Sequence, residues 1–153
     1  MAFFLDTSAL AKLYHQEEGT DRLEALAAGH VLVISRLVVL ELHSVMARKL
    51  SKAEVTREGI ELVLRRFRGE VRRRRFGVVA LRVRHYLHAE KLLETHGSES
   101  GLRRLDALHL SVALDLKRNG LIEQIIVSDR VLCKVAPLEG LPVANPETSR
   151  PDT

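Results

Sequence analysis

Four short apolar, β-branched runs, Phe3–Leu5, Val31–Ile34, Val78–Leu81 and Ile125–Val127, are separated by segments with helical periodicity, and this alternation constrains the chain more than any other feature. Runs that are short and apolar throughout suit strands buried on both faces, as in parallel sheets; a half-exposed strand would alternate polar and apolar positions. Helical spacing falls at Ser8–Gln16, Asp21–Ala28, Leu37–Leu50, Ala53–Phe67, Arg84–His96 and Leu102–Arg118, the last closed by Asn119-Gly120 as a C-cap. Strand and helix in turn predict an α/β domain with helices on both faces of a parallel sheet of four to five strands, a weaker fifth lying near Pro142–Ala144.

Three local patterns refine this layout. Leu50-Ser51-Lys52 reads as a tight turn in which Ser51 caps the next helix and Glu54 completes a capping box, so residues 37–69 are expected to form a helical hairpin. Gly97-Ser98-Glu99-Ser100-Gly101 reads as a flexible loop. The stretch after Asn145 has no apolar pattern, which predicts a domain over residues 1–144 and a mobile tail over 145–153.

At 153 residues, 46% apolar and 29% charged, the chain has the size and balance of one globular domain. No apolar run approaches the ~18 residues of a membrane span, and the start, Met-Ala-Phe-Phe-Leu-Asp, lacks a basic n-region. The expectation is a cytoplasmic protein without a membrane partner. Cys133 is the one cysteine, so neither an internal disulfide nor a thiolate metal site is available, and it reads as a small buried hydrophobe. Phosphate-binding Gly-x-x-x-x-Gly-Lys, Gly-x-Gly-x-x-Gly and Gly-x-Ser-x-Gly patterns are absent, which argues against nucleotide-driven motors and serine hydrolases. The net charge of +4 is modest but uneven: Arg65, Arg66, Arg68, Arg72, Arg73, Arg74 and Arg75 face only Glu70 among acids over the same stretch. Such a cluster is either a phosphate-binding surface or a solvated helix face.

Four acids stand out by position. Asp6 ends the first strand and Asp129 follows the fourth, so parallel strands would bring both to the same carboxyl edge, where α/β proteins place ligands. Each also has a plain structural reading as a helix N-cap. Glu41 and Asp106 interrupt apolar helical stripes, Glu41 amid Leu37, Val38 and Val45, and Asp106 between Leu102 and Leu110. A carboxylate there needs a partner, and for Glu41 a salt bridge to a distant residue is the competing account. If the four converge, a cation must hold them against mutual repulsion. Oxygen ligands without a histidine or cysteine cluster favour Mg²⁺ or Mn²⁺ over zinc. His15, His30, His43, His85, His88, His96 and His109 are scattered and read as structural or surface residues.

The segments Phe4-Leu5-Asp6-Thr7-Ser8-Ala9-Leu10-Ala11-Lys12-Leu13-Tyr14, Leu40-Glu41-Leu42, Arg104-Leu105-Asp106-Ala107-Leu108-His109-Leu110 and Val127-Ser128-Asp129-Arg130-Val131-Leu132 together resemble PIN-domain ribonucleases, especially VapC-like toxins of toxin–antitoxin systems. The resemblance runs from Asp6 to the strand near Val143. It implies a three-layer α/β/α fold, Mg²⁺- or Mn²⁺-dependent endonucleolytic cleavage of RNA, Asp6 and Asp106 as metal ligands, and Glu41 and Asp129 as supporting ligands or holders of metal-bound water. It further implies Ser8 as a hydroxyl lining the pocket, a homodimer, and a cognate antitoxin whose tail enters the acidic groove. Arg72, Arg73, Arg74 and Arg75 are not demanded by the family's motifs and are candidates for substrate binding.

Two alternatives compete. Asp6 as a phosphotransferase nucleophile is weakened by Ser8, which stands where a second aspartate would be expected. A basic module that binds nucleic acid or protein, with the acids serving as caps and salt bridges, needs no catalysis at all.

Overall fold

A computed structural model describes residues 2–148 of the chain. The strands are β1 (Ala2–Leu5), β2 (Val31–Ser35), β3 (Phe76–Val79), β4 (Gln124–Ile126) and β5 (Val143–Ala144). The helices are α1 (Thr7–Lys12), α2 (Thr20–Ala27), α3 (Arg36–Ser51), α4 (Arg57–Arg72), α5 (Val83–Ser100), α6 (Arg104–Arg118) and α7 (Arg130–Leu138). All five strands are parallel, in the order β3-β2-β1-β4-β5, with Phe4 paired to Val33 on one side and to Ile125 on the other.

That order fixes where a site can form. The chain runs outward from β1 through β2 to β3, then returns to β4 on the other side of β1 and continues to β5. The reversal lies between β1 and β4, and helices leaving these two strands diverge there to open a crevice at the carboxyl edge. Asp6 directly follows β1, and Asp129 lies three residues past the end of β4.

The pleat of β1 divides the core. Phe4 points into one layer with Leu92 of α5, Leu110 of α6 and Leu132 of α7, while Phe3 and Leu5 point into the other with Leu10 of α1, Leu42 of α3 and Phe67 of α4. Both layers are dry and apolar, with Phe4, Leu5, Leu10, Leu42, Leu110 and Leu132 all fully buried. The result is the three-layer α/β/α arrangement expected from the sequence.

Three local expectations need correction. Ser51 does not cap the second hairpin helix; it is the last residue of α3, its hydroxyl donating to the Arg48 carbonyl at 2.8 Å. Thr56 is the cap, accepting from the Gly59 amide at 3.0 Å, so the connection is longer and α4 begins at Arg57. Residues 97–100 are helical, and only Gly101, at φ 74°, breaks the chain. Buried Leu92 and His96 hold that end of α5, the imidazole Nε2 lying 2.7 Å from Glu139 of the α7 C-cap, and tertiary packing overrides the ~1 kcal/mol that a helical glycine costs. The third strand begins two residues before the expected Val78.

Residues 149–153, most of the predicted tail, lie outside the described residues. Within the described part, the Glu147 carboxylate reaches to 2.6 Å from the buried ammonium of Lys12 on α1.

Candidate active site

Asp6, Glu41, Asp106 and Asp129 all line one cavity of about 890 Å³, to which Thr7, Ser8 and His109 also contribute. Each acid arrives by a different route. Asp6 is delivered by β1 and caps α1, its Oδ1 accepting from the Ala9 amide at 2.9 Å. The Ser8 hydroxyl donates to the same carboxylate at 2.8 Å and accepts the Ser128 amide at 3.1 Å, tying the start of α1 to the chain leaving β4. Asp129 caps α7, accepting from the Val131 and Leu132 amides at 2.9 Å. The capping readings of Asp6 and Asp129 are therefore correct, and they coexist with exposure to the shared cavity.

Glu41 is held from two directions. Its Oε2 accepts from the Thr7 hydroxyl on α1 and is hydrogen-bonded to His109 Nε2 on α6. With Glu41 ionised, Nε2 carries the proton it donates, and Nδ1 lies within hydrogen-bond distance, 3.1 Å, of the buried Ser35 hydroxyl. The partner that a half-buried Glu41 requires is thus His109, a residue distant in sequence, as the competing salt-bridge account expected. His109, read from the sequence as structural, belongs to the site. One signal was available: it lies three residues after Asp106, on the same face of the helix. Thr7 was likewise within a noted segment but assigned no role.

Protonation behaviour differs among the acids. Burial pushes the Asp6 carboxyl up to about 6, against the lowering effect of its hydrogen bonds from Ala9 and Ser8. Asp106 is raised by burial and then by the neighbouring charges of Asp129 and Glu41. Burial also acts to raise Glu41, but the hydrogen bonds from His109 and Thr7 outweigh it and hold the group below the usual carboxylate range. Asp106 makes no side-chain hydrogen bond or ion pair among the described residues, whereas the other three acids are all engaged.

The donor chemistry suits a hard divalent cation. Carboxylate oxygens dominate, and Asp106 feels the charges of two other acids. Side chains as placed do not yet converge: among the described residues, no three His, Cys, Asp or Glu groups are arranged to hold one ion together. Glu41 would have to exchange its hydrogen-bond partners or act from behind them.

A model of the PIN domain matches residues 3–138 of the sequence. The chain belongs to the PIN-domain family. Solved structures agree on the fold. The PIN domain superposes on a complex titled VapBC2 from Rickettsia felis bound to a promoter DNA fragment, with TM-score 0.61 and 19% identity over 95% of this chain and 98% of that one. A toxin–antitoxin complex from Klebsiella pneumoniae gives 0.62 and 18%, covering 94% and 97% of the two chains. FitAcB from Neisseria gonorrhoeae gives 0.66 and 14%, covering 95% and 98%. No curated protein matches the chain. As a PIN-domain nuclease, the chain is assigned to hydrolases acting on nucleic acids.

Arg72, Arg73, Arg74 and Arg75 are not among the residues lining the acidic cavity of this PIN domain. They end α4 and lead into β3, and so sit at the amino edge of the sheet, opposite the acids. Arg75 donates to Glu70 at 2.6 Å, Arg66 donates to the same carboxylate at 3.2 Å, and Tyr14 shares it. Part of the arginine cluster is thus tied to Glu70, which Tyr14, two residues past α1, also engages. Arginines do reach the acidic cavity, but they are Arg48, Arg103 and Arg104. No helix among the described residues is long and apolar enough to cross a membrane.

Proposed function

We propose that this PIN domain is a divalent-metal-dependent endoribonuclease and the toxin of a toxin–antitoxin pair, with Asp6, Glu41, Asp106 and Asp129 as its reacting site. The observation that carries this reading is the assembly of four carboxylates from β1, α3, α6 and the end of β4 around one open cavity at the topological switch point. A binding module that used these acids as caps and salt bridges accounts for Asp6, Asp129 and the His109-paired Glu41, but not for Asp106, which makes no cap, hydrogen bond or ion pair among the described residues.

Asp6, Asp106 and Asp129 would hold Mg²⁺ or Mn²⁺, with Glu41 orienting a water beside it. Such an ion supplies charge that screens the acids, binds phosphate oxygens and lowers the pKa of water. The remaining work falls to this chain's own residues. Asp6 is fixed by Ser8 and the Ala9 amide, so it meets the ion in one orientation. Glu41, kept ionised by His109 and Thr7, would offer a charged acceptor that orients a water beside the ion. Asp106, raised by burial and neighbouring acids and without a side-chain partner among the described residues, should respond to a cation.

The similar solved structures are toxin–antitoxin complexes, which supports a cognate antitoxin as partner. A homodimer is proposed alongside it, and the exposed apolar side chains of Leu40, Val83, Tyr86 and Leu87 are surface that such partners would cover.

The test is incubation of the purified chain with a mixed cellular RNA pool in Mg²⁺ or Mn²⁺, beside an EDTA control. Discrete fragments that appear only with metal support a selective ribonuclease. Intact RNA under every condition would reject it in favour of the binding module.

A further inference from the structure

We infer that Arg48, Arg103 and Arg104 form the track that holds the phosphates of a single RNA strand on the two sides of the acidic site, a role that the Arg72–Arg75 run does not share. The inference deepens the ribonuclease reading and rests on it.

The three guanidiniums line the same cavity as the four acids, yet none forms a salt bridge or side-chain hydrogen bond among the described residues. This contrasts with the cations nearby. Lys12 is paired to Glu17 and Glu147, and Lys49 to Glu17 and Glu54, so both are neutralised within the fold. All three arginines are exposed, and each extends over an anionic cavity without being consumed by it.

Arg103 is the N-cap of α6 and Arg104 its first residue, and neither supplies a capping hydrogen bond. Their charge opposes the macrodipole but lies close to the acids: Arg103 favours ionised Asp106, and Arg48 does the same for Glu41. None of the three is tied into an ion pair among the described residues, so their charge is available to an anionic strand that enters the cavity.

Geometry gives the track a direction. Arg103 and Arg104 enter the cavity from the start of α6, beside Asp106, while Arg48 enters from the fourth turn of α3. Arg48 also borders a second cavity of about 500 Å³ that shares Thr7, Ser8 and Asp129 with the first and ends at exposed Lys52. Lys52 too forms no ion pair among the described residues. A strand crossing the acids thus meets cationic side chains before and after them. Such contacts bind backbone and position it without reading bases.

The experiment compares the wild type with R48Q/R103Q/R104Q, with the matching triple lysine variant, and with R72Q/R73Q/R74Q/R75Q. Affinity for a labelled single-stranded RNA is measured in Ca²⁺ across a KCl series, and cleavage kinetics are measured in Mn²⁺. For single strands each lost phosphate contact flattens the log–log salt dependence by about 0.7, so the glutamine triple should lose about 2 from the slope. Its KM should rise roughly tenfold or more with kcat nearly unchanged. The lysine triple should keep the slope, the Arg72–Arg75 variant should match the wild type, and circular dichroism should show the glutamine triple folded at the assay temperature. Wild-type slope and KM in the glutamine triple, with cleavage intact, would overturn the track alone and leave these guanidiniums to a protein partner. A wild type that neither binds nor cuts RNA would overturn the ribonuclease reading and the track with it.

Discussion

His109 Nε2 on α6 is hydrogen-bonded to Glu41 Oε2 on α3, so that a buried imidazole holds the one candidate acid that lies beyond the first turn of its helix. Ser35, at the end of β2, meets the other ring nitrogen. A chain of polar contacts therefore links α1, β2, α3 and α6 through the site.

His109→Ala strips Glu41 and fully buried Ser35 of this partner, and each unsatisfied group costs about 1–3 kcal/mol. Urea denaturation should show a loss of that order. Metal-dependent cleavage should fall even where folding is complete, and His109→Asn or His109→Gln should recover part of it by keeping a donor. Wild-type cleavage in a folded His109→Ala protein would remove His109 from the site.

Asp6 yields a pH prediction with a definite sign. Its folded value of about 6 exceeds the ordinary 3.8, so between these values the native chain holds a proton that the unfolded chain has released. Stability from this group is therefore present below pH 3.8 and is lost as pH rises towards 6, by up to about 3 kcal/mol. Asp6→Asn keeps the α1 cap, since Asn caps as well as Asp, and removes the titration. In divalent-free buffer the variant should melt above the wild type at neutral pH, and the gap should close below pH 3.8. Asp6→Ala should instead lose about 1 kcal/mol of capping.

A cation that binds the folded chain but not the unfolded one raises the melting temperature by mass action. Titrating Mn²⁺ should stabilise the wild type in a concentration-dependent way. Asp106→Asn should abolish most of the shift, because its raised carboxyl has no other partner among the described residues. An equal shift in the variant would place the ion elsewhere.

Much of this arrangement is legible in the sequence because the relevant signals are short-range. Apolar runs specify parallel strands, and a parallel sheet obliges Asp6 and Asp129 to emerge at one edge. Asp106 and Glu41 betray themselves by intruding on apolar stripes. What is not legible depends on tertiary contact. No local pattern shows that Glu41 meets His109 across two helices, or that Arg48, Arg103 and Arg104, unremarkable beside the dense run at Arg72–Arg75, are the arginines that line the acidic cavity. The helix through Gly97 is misread for the same reason, since its support comes from His96 and Glu139.

The chemistry of the new RNA ends tests the central claim most directly. Attack by water positioned among Asp6, Glu41, Asp106 and Asp129 yields linear phosphate and hydroxyl ends, whereas attack by the RNA's own 2′-hydroxyl yields a 2′,3′-cyclic phosphate. Mass spectrometry of fragments made in Mn²⁺ should therefore find only linear phosphate ends, and no fragments from the Asp6→Asn, Asp106→Asn double variant. Cyclic phosphate ends, or the same fragments from the double variant, would contradict a metal-dependent site built on these acids.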